Sequence, residues 1–181
     1  TGFSATGIEV GIKEGHSGKK DMAMVYSLAP CKVAGTFTTN KVKAAPVKWD
    51  MEVVHNSDFA QAIIINSGVA NACTGTEGYG YCHDLSAEVG KALKVPTESV
   101  LVASTGVIGK QLPMDKMLAG IPKLAMNLGT SKEDGTLAAE AIMTTDTVSK
   151  QIAFEIEIGG KKAVIGGMCK GSGMIHPNMC T

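Results

Sequence analysis

Two β-branched runs dictate most of what this chain can fold into. Gln61-Ala62-Ile63-Ile64-Ile65-Asn66 is apolar at successive positions and ends in a glycine turn, the pattern of a strand buried on both faces. Ser99-Val100-Leu101-Val102-Ala103 is a second such strand, and it delivers Ser104-Thr105-Gly106 at its end. Between them Tyr81, Leu85, Val89 and Leu93 form an i, i+4 stripe on a helix that Pro96 terminates. Strands without a polar face must be covered on both sides, so the fold class expected is α/β (α+β), β-sheet layers packed with helices.

The flanking sequence supplies further elements. Residues 1–60 read as short strands joined by polar turns: 21–26 carries apolar residues in succession, Val33 to Thr39 is rich in β-formers, and Pro30 marks a break between them. Lys41 to Lys48 mixes lysines with Pro46 and reads as an exposed connection with a solvated face. Leu112-Pro113-Met114 opens a helix in which Met117, Leu118, Ile121 and Leu124 keep helical spacing, and Pro122 predicts a kink or two short helices. Ser131 suits the N-cap of another helix over 132–143. Ile152, Phe154, Ile156 and Ile158 alternate with Ala153, Glu155 and Glu157, then Gly159-Gly160 turns the chain into 161–165, a β-hairpin.

At 181 residues and 44% hydrophobic content the chain can bury one core of ordinary size, so a single domain, 1–181, is expected. Seventeen Lys+Arg balance seventeen Asp+Glu, so no long-range field recruits nucleic acid or an anionic membrane. The longest apolar stretch, Ala62 to Ile65, is far below the roughly 20 residues of a membrane span, and Thr1-Gly2-Phe3-Ser4 does not resemble a signal peptide. Five cysteines without a CxxC pair argue against a disulfide framework and a zinc site, and fit a reducing, cytoplasmic setting. Cys31, Cys73, Cys82 and Cys169 read as small buried hydrophobes.

Chemistry concentrates in small, polar loops. Ser67 to Gly75 carries small and polar side chains, either as backbone amides with Asn66 or Asn71 near a reacting group, or as a loop held by its own Asn side chains. Thr144-Thr145-Asp146-Thr147 is either a turn bonded to its own backbone or a binding segment. Lys170 to Thr181 ends the chain with glycines and Pro177, read on composition as a glycine turn and a frayed terminus. A sharper reading makes Thr181 a nucleophile, because a threonine that starts a chain carries its own base, an α-amine of pKa roughly 8. That reading requires the Cys180–Thr181 bond to be cut.

Five ordered motifs carry a resemblance: Gly35-Thr36-Phe37-Thr38-Thr39-Asn40, Asn66 to Gly75, Ser104-Thr105-Gly106-Val107-Ile108-Gly109, Met143 to Thr147, and the terminal segment. Together they resemble the ornithine acetyltransferase (glutamate N-acetyltransferase) family of arginine biosynthesis over almost the whole chain. The resemblance implies a DmpA/ArgJ-like fold of the self-processing N-terminal-nucleophile type. It also implies autoproteolysis between Cys180 and Thr181 into an α and a β chain, assembled as a heterotetramer. It implies that Thr181 is the nucleophile, that Thr105 and Gly106 form the oxyanion hole, and that Thr144 and Lys170 bind substrate, although the motif alone does not separate Thr144 from Thr145. The substrates implied are acetylornithine and glutamate, with no cofactor and no metal; acetyl-CoA as a further co-substrate stays open. Two departures from the family pattern are Cys180, where alanine is usual, and Val69, where asparagine is frequent. A mature α chain would stop at Cys180, whereas this sequence includes Thr181.

Three alternatives stay open at this level. A self-cleaving amidase or aminopeptidase would pass its acyl group to water. A thiol version would cut before Cys180 and use that side chain. A non-enzymatic α/β interaction domain would neither divide nor become acetylated.

Overall fold

The computed structural model describes residues 2–173 and 178–179. In chain order its elements are β1 (Phe3–Ile8), β2 (Met22–Cys31), α1 (Ala45–Asn56), β3 (Ala60–Val69), α2 (Gly75–Leu93), β4 (Val100–Val107), α3 (Met114–Met126), α4 (Lys132–Ala141), β5 (Lys150–Ile158) and β6 (Lys161–Cys169). The expected mixture of sheets and helices is what forms. One sheet has the order β1-β2-β3-β4, antiparallel except for β3–β4, and β5–β6 make a separate hairpin. A parallel pair cannot be joined by a tight turn, and α2 is the crossover that joins β3 to β4.

The two β-branched runs lie side by side. Ile64 pairs with Val102, Ser67 with Thr105 and Gly68 with Gly106, so both strands end at the same edge of the sheet. One sheet face packs Met22, Met24, Ile64 and Val102 against Leu85 and Val89 of α2, Met117, Ile121 and Leu124 of α3, and Trp49 and Val53 of α1. Burying each of these large side chains contributes about 1.5–3 kcal/mol. The other face, through Ala23, meets Ala138, Ala141 and Ile142 at α4, where small side chains let helix and sheet approach closely. Among the described residues no helix is long and apolar enough to cross a membrane.

The structure corrects several local expectations. Val33 to Thr39 form no strand apart from a single bridge between Thr38 and Met179, because β propensity is realised only where a partner strand is offered. Pro30 does not end the preceding strand; it lies inside β2 where the pairing with β3 is irregular, between Tyr26 and Cys31, so no ladder N–H is required of it. The supposed connection 41–48 runs into α1, which starts with Pro46 in its first turn and buries Trp49 and Val53 at i, i+4. Helix α2 begins at Gly75, earlier than its apolar stripe, and Gly78 has no room for a side chain, since a Cβ there would lie 1.9 Å from Thr74 Oγ1. Helix α3 is continuous through Pro122: one backbone hydrogen bond is lost, while Ile121 and Leu124 beside it are fully buried.

Other expectations match. Ser131 caps α4 in a reciprocal capping box with Asp134, although the helix ends at Ala141. The hairpin forms with Gly159 and Gly160 both at positive φ, +58° and +74°, as a two-residue turn requires. Ile152, Phe154 (57%), Ile158 (64%), Val164 and Ile165 are exposed, and Met168 packs against the small cluster at α4, so most of the alternation does not reflect packing on the core of this chain.

Candidate active site

The end of β4 places Thr105 and Gly106 against the end of β3. Gly106 has φ +137°, and a Cβ there would lie 2.2 Å from the Gly68 carbonyl carbon, so only glycine permits the two strand ends to touch. The Ser67 hydroxyl donates to the Ala141 carbonyl at the end of α4, which fixes the segment leading to Thr144 beside this edge. Lys170, directly after β6, closes the arrangement: its Nζ donates to Thr105 Oγ1 at 3.1 Å and to Thr144 Oγ1 at 2.8 Å. These residues stand 65 and 26 positions from Lys170 in the chain. Thr145 turns elsewhere and shares a 2.7 Å hydrogen bond with Ser172, so Thr144 is the member of the pair that reaches Lys170.

This geometry has a chemical consequence. An ammonium has three donors and no acceptor, so both threonine oxygens must accept from it, and both hydroxyl hydrogens remain free to donate elsewhere. A third donor on Lys170 is also left for a ligand. Preorganised donors of this kind stabilise developing negative charge because they need no rearrangement when it appears.

Asp146 holds the arrangement together and was not singled out by its sequence setting. It is buried, and it accepts from Lys150 Nζ at 2.6 Å, from the Gly171 N–H at 2.7 Å and from the Thr144 N–H at 3.2 Å. Lys150 above all, then the Gly171 amide, keeps its carboxyl well below the usual aspartate range. The threonine turn is therefore not closed on itself alone but tied to the segment after β6. A buried carboxylate satisfied by backbone N–H groups has no characteristic spacing, so the motif that contains Asp146 does not announce this role.

The loop before β2 forms another wall. Asp21, 1% exposed, accepts the backbone N–H groups of Val10, Ile12 and Lys13 at 2.7, 2.6 and 3.1 Å. A cavity of about 890 Å³ lies between this loop and the ends of β3 and β4, lined by Lys13, Gly68, Gly106, Thr144 and Asp146 among others. That volume accommodates small-molecule substrates.

Asn66 and Asn71 are both buried, Asn66 Nδ2 donating to the Val69 carbonyl at 2.8 Å and Asn71 Nδ2 to the Gly78 carbonyl of α2 at 2.9 Å. Asn66 thus braces the end of β3 and Asn71 ties the loop to the first turns of α2. Of the four internal cysteines only Cys82 is buried; Cys73 and Cys169 are exposed and Cys31 is intermediate, so the expectation of buried hydrophobes holds for Cys82 alone. Burial, with the Asp50 carboxylate in addition, pushes the Cys82 thiol up to about 12, which leaves it unreactive. Among the described residues no cluster of three His, Cys, Asp or Glu side chains is arranged to hold a metal ion.

Cys180 and Thr181 lie outside the described residues. The two residues before them are anchored. Asn178 accepts at its carbonyl from the Thr39 N–H at 2.9 Å and from the Thr38 and Thr39 hydroxyls at 3.2 and 3.1 Å, and Met179 bridges Thr38. The threonine-rich motif at 35–40, given no role above, is a clamp on the terminal segment.

Comparison with known proteins bears on the whole arrangement. The ArgJ family model matches residues 4–181. The arginine biosynthesis bifunctional protein ArgJ of Thermotoga neapolitana is 49% identical over 99% of this chain and 44% of its own length, and that of Caldanaerobacter subterraneus is 50% identical over 99% and 43%. The chain therefore spans less than half the length of these curated relatives. Among solved structures, ArgJ of Bacillus halodurans superposes with a TM-score of 0.93 at 42% identity, over 99% of this chain and 92% of that one. The ornithine acetyltransferase of Mycobacterium tuberculosis, crystallised with ornithine, gives the same TM-score and identity, over 99% and 93%. On sequence and on fold alike, matched almost end to end, this chain belongs to the ArgJ family.

Proposed function

We propose that this chain is the α portion of an acetyltransferase that moves acetyl from N2-acetyl-L-ornithine to L-glutamate in arginine biosynthesis. The observation that carries the reading is Lys170 held between Thr105 and Thr144, three residues from three separate motifs meeting at one point. The names of the relatives and the ornithine in the Mycobacterium structure support the substrate class. The word bifunctional in those names supports acetyl-CoA as a second acetyl donor.

In this reading Thr181 Oγ first attacks the Cys180 carbonyl. The acyl group shifts from nitrogen to oxygen, and water then hydrolyses the ester, leaving a carboxylate on Cys180 and a free α-amine on Thr181. The crystallised relatives are matched over 92–93% of their chains whereas the curated ones are matched over 43–44%, as expected if the family's precursors divide into two chains. The clamp of Thr38 and Thr39 on Asn178 supports a scissile bond held in place.

In the second stage the α-amine takes the Oγ proton as Oγ attacks the acetyl carbonyl of acetylornithine. Thr105 Oγ–H and the Gly106 N–H donate to the oxyanion, ornithine leaves with a proton on its amine, and the acetyl group stays as an ester on Thr181. The glutamate amine then attacks that ester, giving N-acetylglutamate and restoring the threonine. Lys170 and Thr144 hold the amino-acid substrate, with the free Lys170 donor suited to its α-carboxylate. The β portion completes the site, two α and two β chains form the assembly, and the cytoplasm is the compartment proposed.

A covalent acetyl intermediate requires that the first product leave before the second substrate reacts. Initial rates of acetylornithine against glutamate in the complete protein therefore give parallel double-reciprocal lines. Intersecting lines contradict the intermediate, and acetate release without glutamate would favour the amidase alternative.

A further inference from the structure

One wall of the cavity carries a basic residue with no part in the reaction just described. Lys13 sits on the loop that Asp21 pins by three backbone N–H groups, so its Cα cannot move independently of the sheet. Its stem lies across Gly68: a Cβ at Gly68 would be 3.2 Å from Lys13 Cγ. Gly68 in turn is pressed against Gly106. Lys13 is thus one residue's thickness from the oxyanion glycine, half-buried, with its Nζ donating to the Lys20 carbonyl at 2.7 Å and two further donors unspent.

The charges around it are unequal. Of the carboxylates lining the cavity, Glu14 pairs with Lys110 at 2.8 Å, Glu140 with Lys20 at 3.0 Å and Asp146 with Lys150 at 2.6 Å. The Asp21 carboxylate accepts three backbone amides and attracts the Lys13 ammonium only at longer range, without an ion-pair contact. Among the described residues Lys13 and Lys19 are the cavity lysines without a carboxylate in contact, and Lys13 is the one packed on Gly68. A half-buried ammonium next to a reacting centre favours an anionic ligand.

We infer that Lys13 binds a substrate carboxylate in the cavity bordered by Gly68 and Gly106. This rests on the acetyltransferase reading above. Two sources share the chemistry, the α-carboxylate common to both substrates and the side-chain carboxylate of glutamate. Lys170 is already suited to an α-carboxylate, and glutamate carries a second carboxylate for which Lys13 supplies a second ammonium.

The test uses the complete, processed protein with Lys13→Met, which keeps the stem, and Lys13→Arg, which keeps the charge. Lys13→Met raises KM for glutamate at least about tenfold, the loss expected for one charge-assisted hydrogen bond, and Lys13→Arg restores most of it. A rise for glutamate alone, with lost preference for glutamate over glutamine, identifies the side-chain carboxylate; an equal rise for acetylornithine identifies the α-carboxylate. Unchanged KM for both substrates, a fall in kcat alone, or Lys13→Arg behaving as Lys13→Met overturns the inference. If Lys13→Met does not fold, Lys13→Gln takes its place in the same comparison. Wild-type protein that transfers no acetyl overturns the reaction instead, and equilibrium binding of glutamate to wild type against Lys13→Met then decides the subsite.

Discussion

The carboxylate of Asp146 accepts the backbone N–H of Gly171 at 2.7 Å, so the turn that carries Thr144 is fastened to the residue after Lys170. Replacing Asp146 with alanine leaves the Thr144 and Gly171 N–H groups without their acceptor and Lys150 with the Gly171 carbonyl alone. The expected cost is about 1–3 kcal/mol of stability, with slower division of the precursor and slower acetyl transfer. Denaturant unfolding, and the rate at which full-length chain disappears on a gel, measure both.

Thr105 accepts from Lys170, and in the proposed reaction its hydroxyl donates to the oxyanion. Thr105→Val, which preserves shape and removes both, lowers kcat by about 10²–10³, the range for loss of one oxyanion donor. Thr105→Ser retains most of the activity. Steady-state kinetics with acetylornithine and glutamate decide it, and equal loss in the two variants would point to packing instead.

Gly106→Ala introduces a Cβ 2.2 Å from the Gly68 carbonyl carbon at a φ of +137°. Backbone strain of this kind costs on the order of 1–3 kcal/mol before any clash is counted. The variant is expected to melt several degrees lower and to lose transfer activity, while Gly159→Ala in the hairpin turn leaves activity intact. Thermal unfolding and activity of the two variants are compared side by side.

Much of this architecture was legible in the chain, and the failures have physical causes. The runs at 61–66 and 99–103 became β3 and β4 because unbroken β-branched residues have no polar face to turn outward. The Ser131 cap and the Gly159-Gly160 turn depend on local geometry that a few residues decide. Helix α1 was hidden because Pro46 and the lysines around it resemble a loop, although Trp49 and Val53 supply its buried face. The start of α2 was hidden by Gly75, Gly78 and Gly80, which lower helix propensity but let the Asn71 loop pack against it. At the site, Thr105, Thr144 and Lys170 are named through family resemblance, whereas the anchoring carboxylates Asp21 and Asp146 are defined by backbone N–H groups that converge on them only in the fold.

Asp50 provides a pH test away from the cavity. Burial pushes its carboxyl up to about 7, against the opposing 2.9 Å hydrogen bond from the Val102 N–H. An ordinary aspartate titrates near pH 4. Between those values the folded protein binds more protons than the unfolded chain, so Asp50 makes stability fall as pH rises from about 4 to about 7. Asp50→Asn, which can still accept from Val102, removes that slope and stabilises the protein at pH 8 by on the order of 1 kcal/mol. Chemical denaturation at pH 5 and pH 8 measures the difference.

Mass spectrometry of the intact, complete protein and its Thr181→Ala variant, before and after brief exposure to N-acetylornithine, addresses the nucleophile itself. The account predicts two chains from the wild type, the second beginning at Thr181 and gaining one acetyl group on that residue, and a single undivided, unacetylated chain from the variant. Division of the variant at the same bond, or acetyl transfer by it at the wild-type rate, would contradict the account.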